Sequence, residues 1–111
     1  KTLVTASPDH EHFVFIIPGD AELDLKKAAR ATGKKSIEMI KAKELLPLTG
    51  YVHGGCSPVG MKKTFPTRID ESAILFDRIF GSGGRLGLNL AIAPETLAGF
   101  ISADFADLTK N

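Results

Sequence analysis

The sequence predicts a single mixed α/β domain of the α+β kind, in which a mixed, largely antiparallel sheet carries flanking helices. Three observations predict it. The chain has 111 residues, of which 43% are hydrophobic, enough for one core and too few for two. Short β-prone runs and short helical stretches are interspersed without the regular β-α-β alternation of a doubly wound sheet. No repeat, heptad or low-complexity tract interrupts them.

The elements follow in order. Thr2 to Ala6 is β-prone, and Ser7-Pro8-Asp9-His10 is a turn signal. Glu11 to Ile17 contains the unbroken run Phe13-Val14-Phe15-Ile16-Ile17, which reads as a strand covered on both faces and pairs with the first as an antiparallel hairpin. Leu23 to Thr32 has helical spacing: Leu25, Ala28, Ala29 and Thr32 form one face, and Lys26, Lys27 and Arg30 face water. Asp24 suits its N-terminus and Gly33 its C′ position. Lys34 to Met39 reads as a short strand, and Lys41 to Leu46 as a short helix stopped by Pro47. Phe65 to Asp70 and Ile74 to Phe80 read as strands around the acidic turn Asp70-Glu71-Ser72. Leu86 to Ile92 follows as another strand. Pro94 opens a helix at its first position, with Glu95 in the first turn, and that helix runs to about Ile101. Asp104 to Leu108 is the final strand.

Composition narrows the function classes. A net charge of +1 gives no electrostatic argument for nucleic acid. Cys56 is the only cysteine, which forbids an internal disulfide and points to a reducing compartment, the cytoplasm. No apolar run approaches the roughly 20 residues of a membrane span, and no secretory signal is visible. Lys1-Thr2-Leu3-Val4 reads like the middle of a strand, so the natural chain is expected to begin earlier and to supply a further N-terminal segment.

The chemistry concentrates in two glycine-rich loops. Thr49 to Gly60 holds Gly50, Gly54, Gly55 and Gly60 together with Pro58. Glycine lets a ligand approach the main chain, and a row of backbone N–H groups suits a carbonyl oxygen, a carboxylate or a phosphate. The loop is no phosphate-binding loop, since Gly-x-x-x-x-Gly-Lys-Ser/Thr is missing, and it is no dinucleotide fingerprint. A structural turn and a ligand wall both remain open from composition. The second cluster, Gly81-Ser82-Gly83-Gly84, favours the ligand wall, because two such loops can line one cleft. Cys56 beside His53 suggests a nucleophile, yet no His and Asp/Asn pair completes a triad, so a small apolar filler is the simpler reading. Ser57 lacks a nucleophile-elbow context. His10, His12 and His53 lack metal spacing; His10 and His12 flank Glu11 on one side of a strand, and neither a metal nor a cofactor is expected. Lys62, Lys63 and Arg85 can bring positive charge to the cleft mouth, with ordinary solvation as the plainer account.

Thr49-Gly50-Tyr51, then Gly54-Gly55-x-Ser57-Pro58-x-Gly60-x-Lys62-Lys63, resembles the bacterial YbaK/EbsC family of Cys-tRNA(Pro) deacylases, related to the editing domain inserted in prolyl-tRNA synthetases. The resemblance covers essentially the whole chain. Lys1-Thr2-Leu3-Val4 resembles the strand with the family's important lysine, Pro18 to Lys35 the segment before the pocket, and Ser82-Gly83-Gly84 with Gly87-Leu88-Asn89 the second pocket loop. It implies hydrolysis of the ester that joins a wrong amino acid to the tRNA 3′ end, with prolyl-tRNA synthetase as a further partner. It implies catalytic roles for Lys1, Gly54 and Asn89, and substrate contacts from Gly55, Cys56, Ser57, Pro58, Ser82, Gly83 and Gly84. In cysteine-specific relatives the substrate's own thiol is thought to attack its ester, which fits a site without a triad. Asn89 departs from the acidic residue of better-known members, which leaves room for a non-catalytic module that holds an aminoacyl-tRNA end or a synthetase. His53 and Cys56 stand where apolar residues are common.

Overall fold

The computed structural model describes residues 1–51, 65–82 and 89–110. The apolar run at 13–17 organises it. β1 (Thr2–Ala6) and β2 (His12–Ile16) form the expected antiparallel hairpin, with Leu3 opposite Phe15 and Val4 opposite Val14. The turn between them closes through Ser7 N–H to Glu11 O at 2.9 Å and His10 N–H to Ser7 O at 2.9 Å. His10 has φ 66° there, so it belongs to the turn and does not share a strand face with His12.

The remaining strands extend this hairpin into a five-stranded sheet. β3 (Glu38–Met39) pairs antiparallel with β1; β4 (Thr67–Asp70) pairs parallel with β2; β7 (Asp104–Ala106) pairs parallel with β4. The order is β3-β1-β2-β4-β7. A separate antiparallel hairpin, β5 (Ile79–Ser82) with β6 (Asn89–Ile92), makes the second sheet. The architecture is mixed as expected, with parallel pairing throughout the β2-β4-β7 half.

Both faces of β2 are buried. Phe13, Phe15 and Ile17 pack with Leu3, Leu23, Ala28, Ala29, Ile37 and Leu108 on the face covered by α1 (Leu25–Thr32). Val14 and Ile16 point the other way, toward α2 (Ala42–Thr49) and α3 (Pro94–Ile101). Asp24 caps α1 by accepting from Lys26 N at 2.9 Å and Lys27 N at 3.1 Å, and Gly33 ends it in the left-handed region at φ 70°. The backbone N–H groups of Lys27 and Lys26 hold the Asp24 carboxyl below its usual range.

Four further sequence expectations change. Pro47 lies inside α2 rather than ending it. The helix closes around it through Gly50 N–H to Leu46 O at 2.8 Å and the Thr49 hydroxyl to Leu45 O at 2.8 Å. Ile74 to Phe80 is not one strand: Glu71–Leu75 is a 3-10 turn, and the strand begins at Ile79. The Asp70 carboxylate causes this by accepting from Ser72 N–H at 3.2 Å and from the Ser72 hydroxyl, which turns the chain as β4 ends. Ile74, Leu75 and Phe76 consequently lie exposed. Lys27 does not simply face water, because its Nζ donates to Asp107 Oδ1 at 3.0 Å and Thr109 O at 2.8 Å. The strand expected over Lys34 to Met39 shrinks to two residues, with Ile37 turned into the core.

Candidate functional site

The glycine-rich loop is fixed at both feet. At its entry Gly50 adopts φ 85°, a left-handed conformation that suits glycine, and the buried Thr49 oxygen accepts Tyr51 N–H at 3.1 Å. At its exit Thr67 donates its hydroxyl to Phe65 O at 3.0 Å, and Val14 N–H donates to Pro66 O at 2.9 Å. Tyr51 and Phe65 pack into one cluster with Val4, Val14 and Leu45. The His12 ring lies 5.7 Å from that of Phe65. Gly54, Gly55, Cys56, Ser57 and Pro58, together with His53, Lys62 and Lys63, lie outside the described residues.

The second loop is rooted on the β5–β6 hairpin. Ser82 and Asn89 are direct register partners at its end. Gly83, Gly84 and Arg85 lie outside the described residues. Ile79 and Ile92, paired at its base, pack on Ile16, Ile69, Leu97 and Ala98. Val14 and Ile16 are two residues apart on β2 and face the same way. Both glycine loops are therefore rooted on one face of the sheet, in adjacent clusters, while α1 covers the other.

Lys1 sits at the sheet edge. Its carbonyl accepts Ile17 N–H at 2.9 Å, one step beyond the Thr2–Ile16 pair. Across the sheet Ile16 is level with Ile69, and Ile69 with Phe105, so Lys1 lies one residue from the row that carries the hairpin base. Its register position alternates with Ile17 toward the α1 face. The sheet thus brings the exposed Lys1 to the same edge as the hairpin without aiming that position at either loop. The glycine-rich loop re-enters at Thr67, where β4 starts, and Lys1 stands at the end where β4 finishes.

Charge around the β1–β2 turn forms a local network. Lys34 Nζ lies 2.9 Å from both Asp9 Oδ2 and Glu11 Oε2 and 5.9 Å from the centre of the Phe13 ring. Glu11, and then Asp9, raise the Lys34 pKa. The Ser7 hydroxyl, followed by Lys34, lowers Asp9 to about 2. Among the described residues, no group of three or more His, Cys, Asp or Glu is arranged to hold a metal ion, and no helix is long and apolar enough to cross a membrane.

Sequence reasoning missed Asp70. It is buried, and its second oxygen accepts Leu108 N–H at 3.0 Å, so one carboxylate ties the end of β4 to both the turn before the hairpin and the segment after β7. The Asp-x-Ser spacing was the available signal, read only as an acidic turn.

Comparison with known proteins agrees with this architecture. A curated protein of Enterococcus faecalis (strain ATCC 700802 / V583), described as a candidate Cys-tRNA(Pro)/Cys-tRNA(Cys) deacylase, EbsC, is 46% identical over 109 residues, which is 98% of this chain and 66% of that protein. The chain therefore spans just under two thirds of that relative. A solved structure described as a candidate trans-editing enzyme for prolyl-tRNA synthetase matches with TM-score 0.89 and 29% identity, over 100% of this chain and 69% of that one. A candidate signal transduction protein from Marinobacter aquaeolei VT8 matches with TM-score 0.76 and 15% identity, over 100% of this chain and 24% of that one, and shares the fold alone. The model of the aminoacyl-tRNA editing domain matches residues 1–100. With that match over residues 1–100, which hold both loop roots and the edge lysine, the chain belongs to the aminoacyl-tRNA editing domain family.

Proposed function

We propose that this domain is an aminoacyl-tRNA deacylase that hydrolyses the ester between a wrongly attached amino acid and the 3′ end of tRNA(Pro), with Cys-tRNA(Pro) as its substrate. The observation that carries this reading is the 46% identity to a described candidate deacylase over 98% of the chain. The rooting of both glycine loops on one sheet face supports it, because an ester held between them would meet backbone donors from two sides. Gly54 and Pro58 shape the amino-acid pocket, with Gly55, Cys56 and Ser57 beside them. Ser82, Gly83, Gly84 and Asn89 form the facing wall. The exposed ammonium of Lys1 positions the phosphodiester end. As water adds to the ester carbonyl, its oxygen gains negative charge, which the backbone N–H groups of the Gly54 loop stabilise until the bond to the ribose oxygen breaks and that oxygen takes up a proton. One such donor is worth about 3 to 4 kcal/mol. An aminoacyl ester is already reactive, so no strong protein nucleophile is needed.

The domain works in the cytoplasm, and the neighbour described as acting for prolyl-tRNA synthetase supports docking on that enzyme. A net charge of +1 favours such assistance over strong binding of tRNA by the domain alone. The test is deacylation of Cys-, Ala- and Pro-charged tRNA(Pro) by the full-length protein. Cys-tRNA(Pro) should be hydrolysed; hydrolysis of none of the three would overturn the proposal. Lys1→Ala should greatly lower the rate, and an unchanged rate removes Lys1 from the site. Asn89 favours a second reading, a module that holds the aminoacyl end without turnover. Tight tRNA binding with no hydrolysis would select it.

A further inference from the structure

We propose that Phe80, with Arg78 beside it, is a stacking platform for an unpaired base of the tRNA 3′ end. This rests on the aminoacyl-tRNA reading above and extends the substrate contact beyond the amino-acid pocket. Alternation along β5 turns Ile79 into the core cluster and leaves Phe80 74% exposed. A single exposed apolar side chain needs no explanation in itself; the neighbours of Phe80 supply one. Its register partner across the hairpin is Ala91, also exposed and carrying only one methyl group.

Arg78 immediately precedes the strand, is exposed, and makes no ion pair among the described residues. Two positions beyond Phe80 comes Ser82, in register with Asn89. Positions 80 and 82 lie two residues and about 7 Å apart along β5, and Arg78 stands just before the strand, so the chain presents in order a cation, an exposed aromatic ring and a position of the proposed facing wall. A single-stranded nucleotide end offers the matching sequence: a phosphate, the flat face of a base, and then the acylated ribose. Bases stack on exposed aromatic rings whatever their identity, and arginine pairs with the phosphates between them. A protein partner would match the ring equally well, but it would not explain the cation and the site position on either side of it.

The 111-residue sequence has no tryptophan, so Phe80→Trp places on the platform the one tryptophan of this domain. The probe is a short single-stranded oligonucleotide ending in CCA. Its titration should quench the fluorescence of F80W with affinity near that of wild type. Phe80→Ala should weaken binding by about five- to hundredfold, with the loss in charged-tRNA turnover falling chiefly on KM. Arg78→Gln should flatten the salt dependence of log K by about one contact's worth. Unchanged affinity in F80A, or an F80W signal indifferent to the oligonucleotide, overturns the proposal. So does an F80A variant that keeps its affinity for the oligonucleotide but no longer binds prolyl-tRNA synthetase, which would assign the face to a protein. Failure of the wild-type protein to hydrolyse any charged tRNA(Pro) would instead overturn the deacylase reading, and the oligonucleotide titration would still decide the role of Phe80.

Discussion

Replacing Asp70 with alanine should be among the most destabilising single changes in this domain. The residue is 3% exposed and its two oxygens serve three donors: Leu108 N–H at 3.0 Å, Ser72 N–H at 3.2 Å and the Ser72 hydroxyl. Leu108 is fully buried, so its orphaned N–H would cost about 1–3 kcal/mol. Ser72 is half-buried and can turn to water, which limits its loss to about 1 kcal/mol. The total, about 2–4 kcal/mol, is a large share of the roughly 5–15 kcal/mol typical of a domain. It should lower Tm on the order of 10–20 °C. Urea denaturation followed by circular dichroism measures it directly. Asp70→Asn keeps an acceptor for Leu108 N–H and should lose about half as much. An Asp70→Ala variant within about 0.5 kcal/mol of wild type, the range of an ordinary surface change, would refute the reasoning.

Other perturbations have equally definite outcomes. Asp24→Ala should cost about 1 kcal/mol through the lost cap. Gly33→Ala, which meets open space but must hold φ 70°, should cost about 1–2 kcal/mol; the two act at opposite ends of α1 and should add in a double mutant. Asp9 has a folded pKa of about 2 against its usual 3.8, so its contribution is complete above 3.8 and is lost as pH falls toward 2. Asp9→Asn should therefore show a shallower fall in stability than wild type across that window in acid titrations of unfolding. Cys56→Ser should retain deacylase activity, and abolished turnover would restore the cysteine as a nucleophile.

Local chemistry was legible wherever a residue's own backbone preference decides the outcome. Asp24 and Gly33 bound α1 as expected, Pro94 opens α3, and the run at 13–17 announced a strand buried on both faces. Expectations failed where a distant partner decides. Ile74 to Phe80 looks strand-like by composition, but the buried Asp70 carboxylate bends it into a turn that leaves its apolar residues in water. Pro47 is a helix breaker by rule, yet α2 holds because Leu45 is buried and Thr49 closes the last turn. The parallel pairing of β4 with β2 joins segments some fifty residues apart, as with Val14 and Thr67, and no local pattern encodes it. The two glycine clusters were visible as composition. Their common rooting on one sheet face depends on that same pairing.

The segment after β7 closes back on the start of α1. Asp24 N–H donates to Leu108 O at 2.8 Å and Lys110 N–H to Glu22 O at 3.0 Å, and Leu23 bridges Thr109. Leu108 itself fills the cluster built on β1 and β2. During synthesis the first hairpin is made early, but its core face lacks this side chain until position 108 has left the ribosome. That core face is consequently completed only when the segment after β7 has emerged, with the apolar residues of β2 incompletely covered until then. In that interval the nascent chain exposes apolar strand surface of the kind that promotes aggregation.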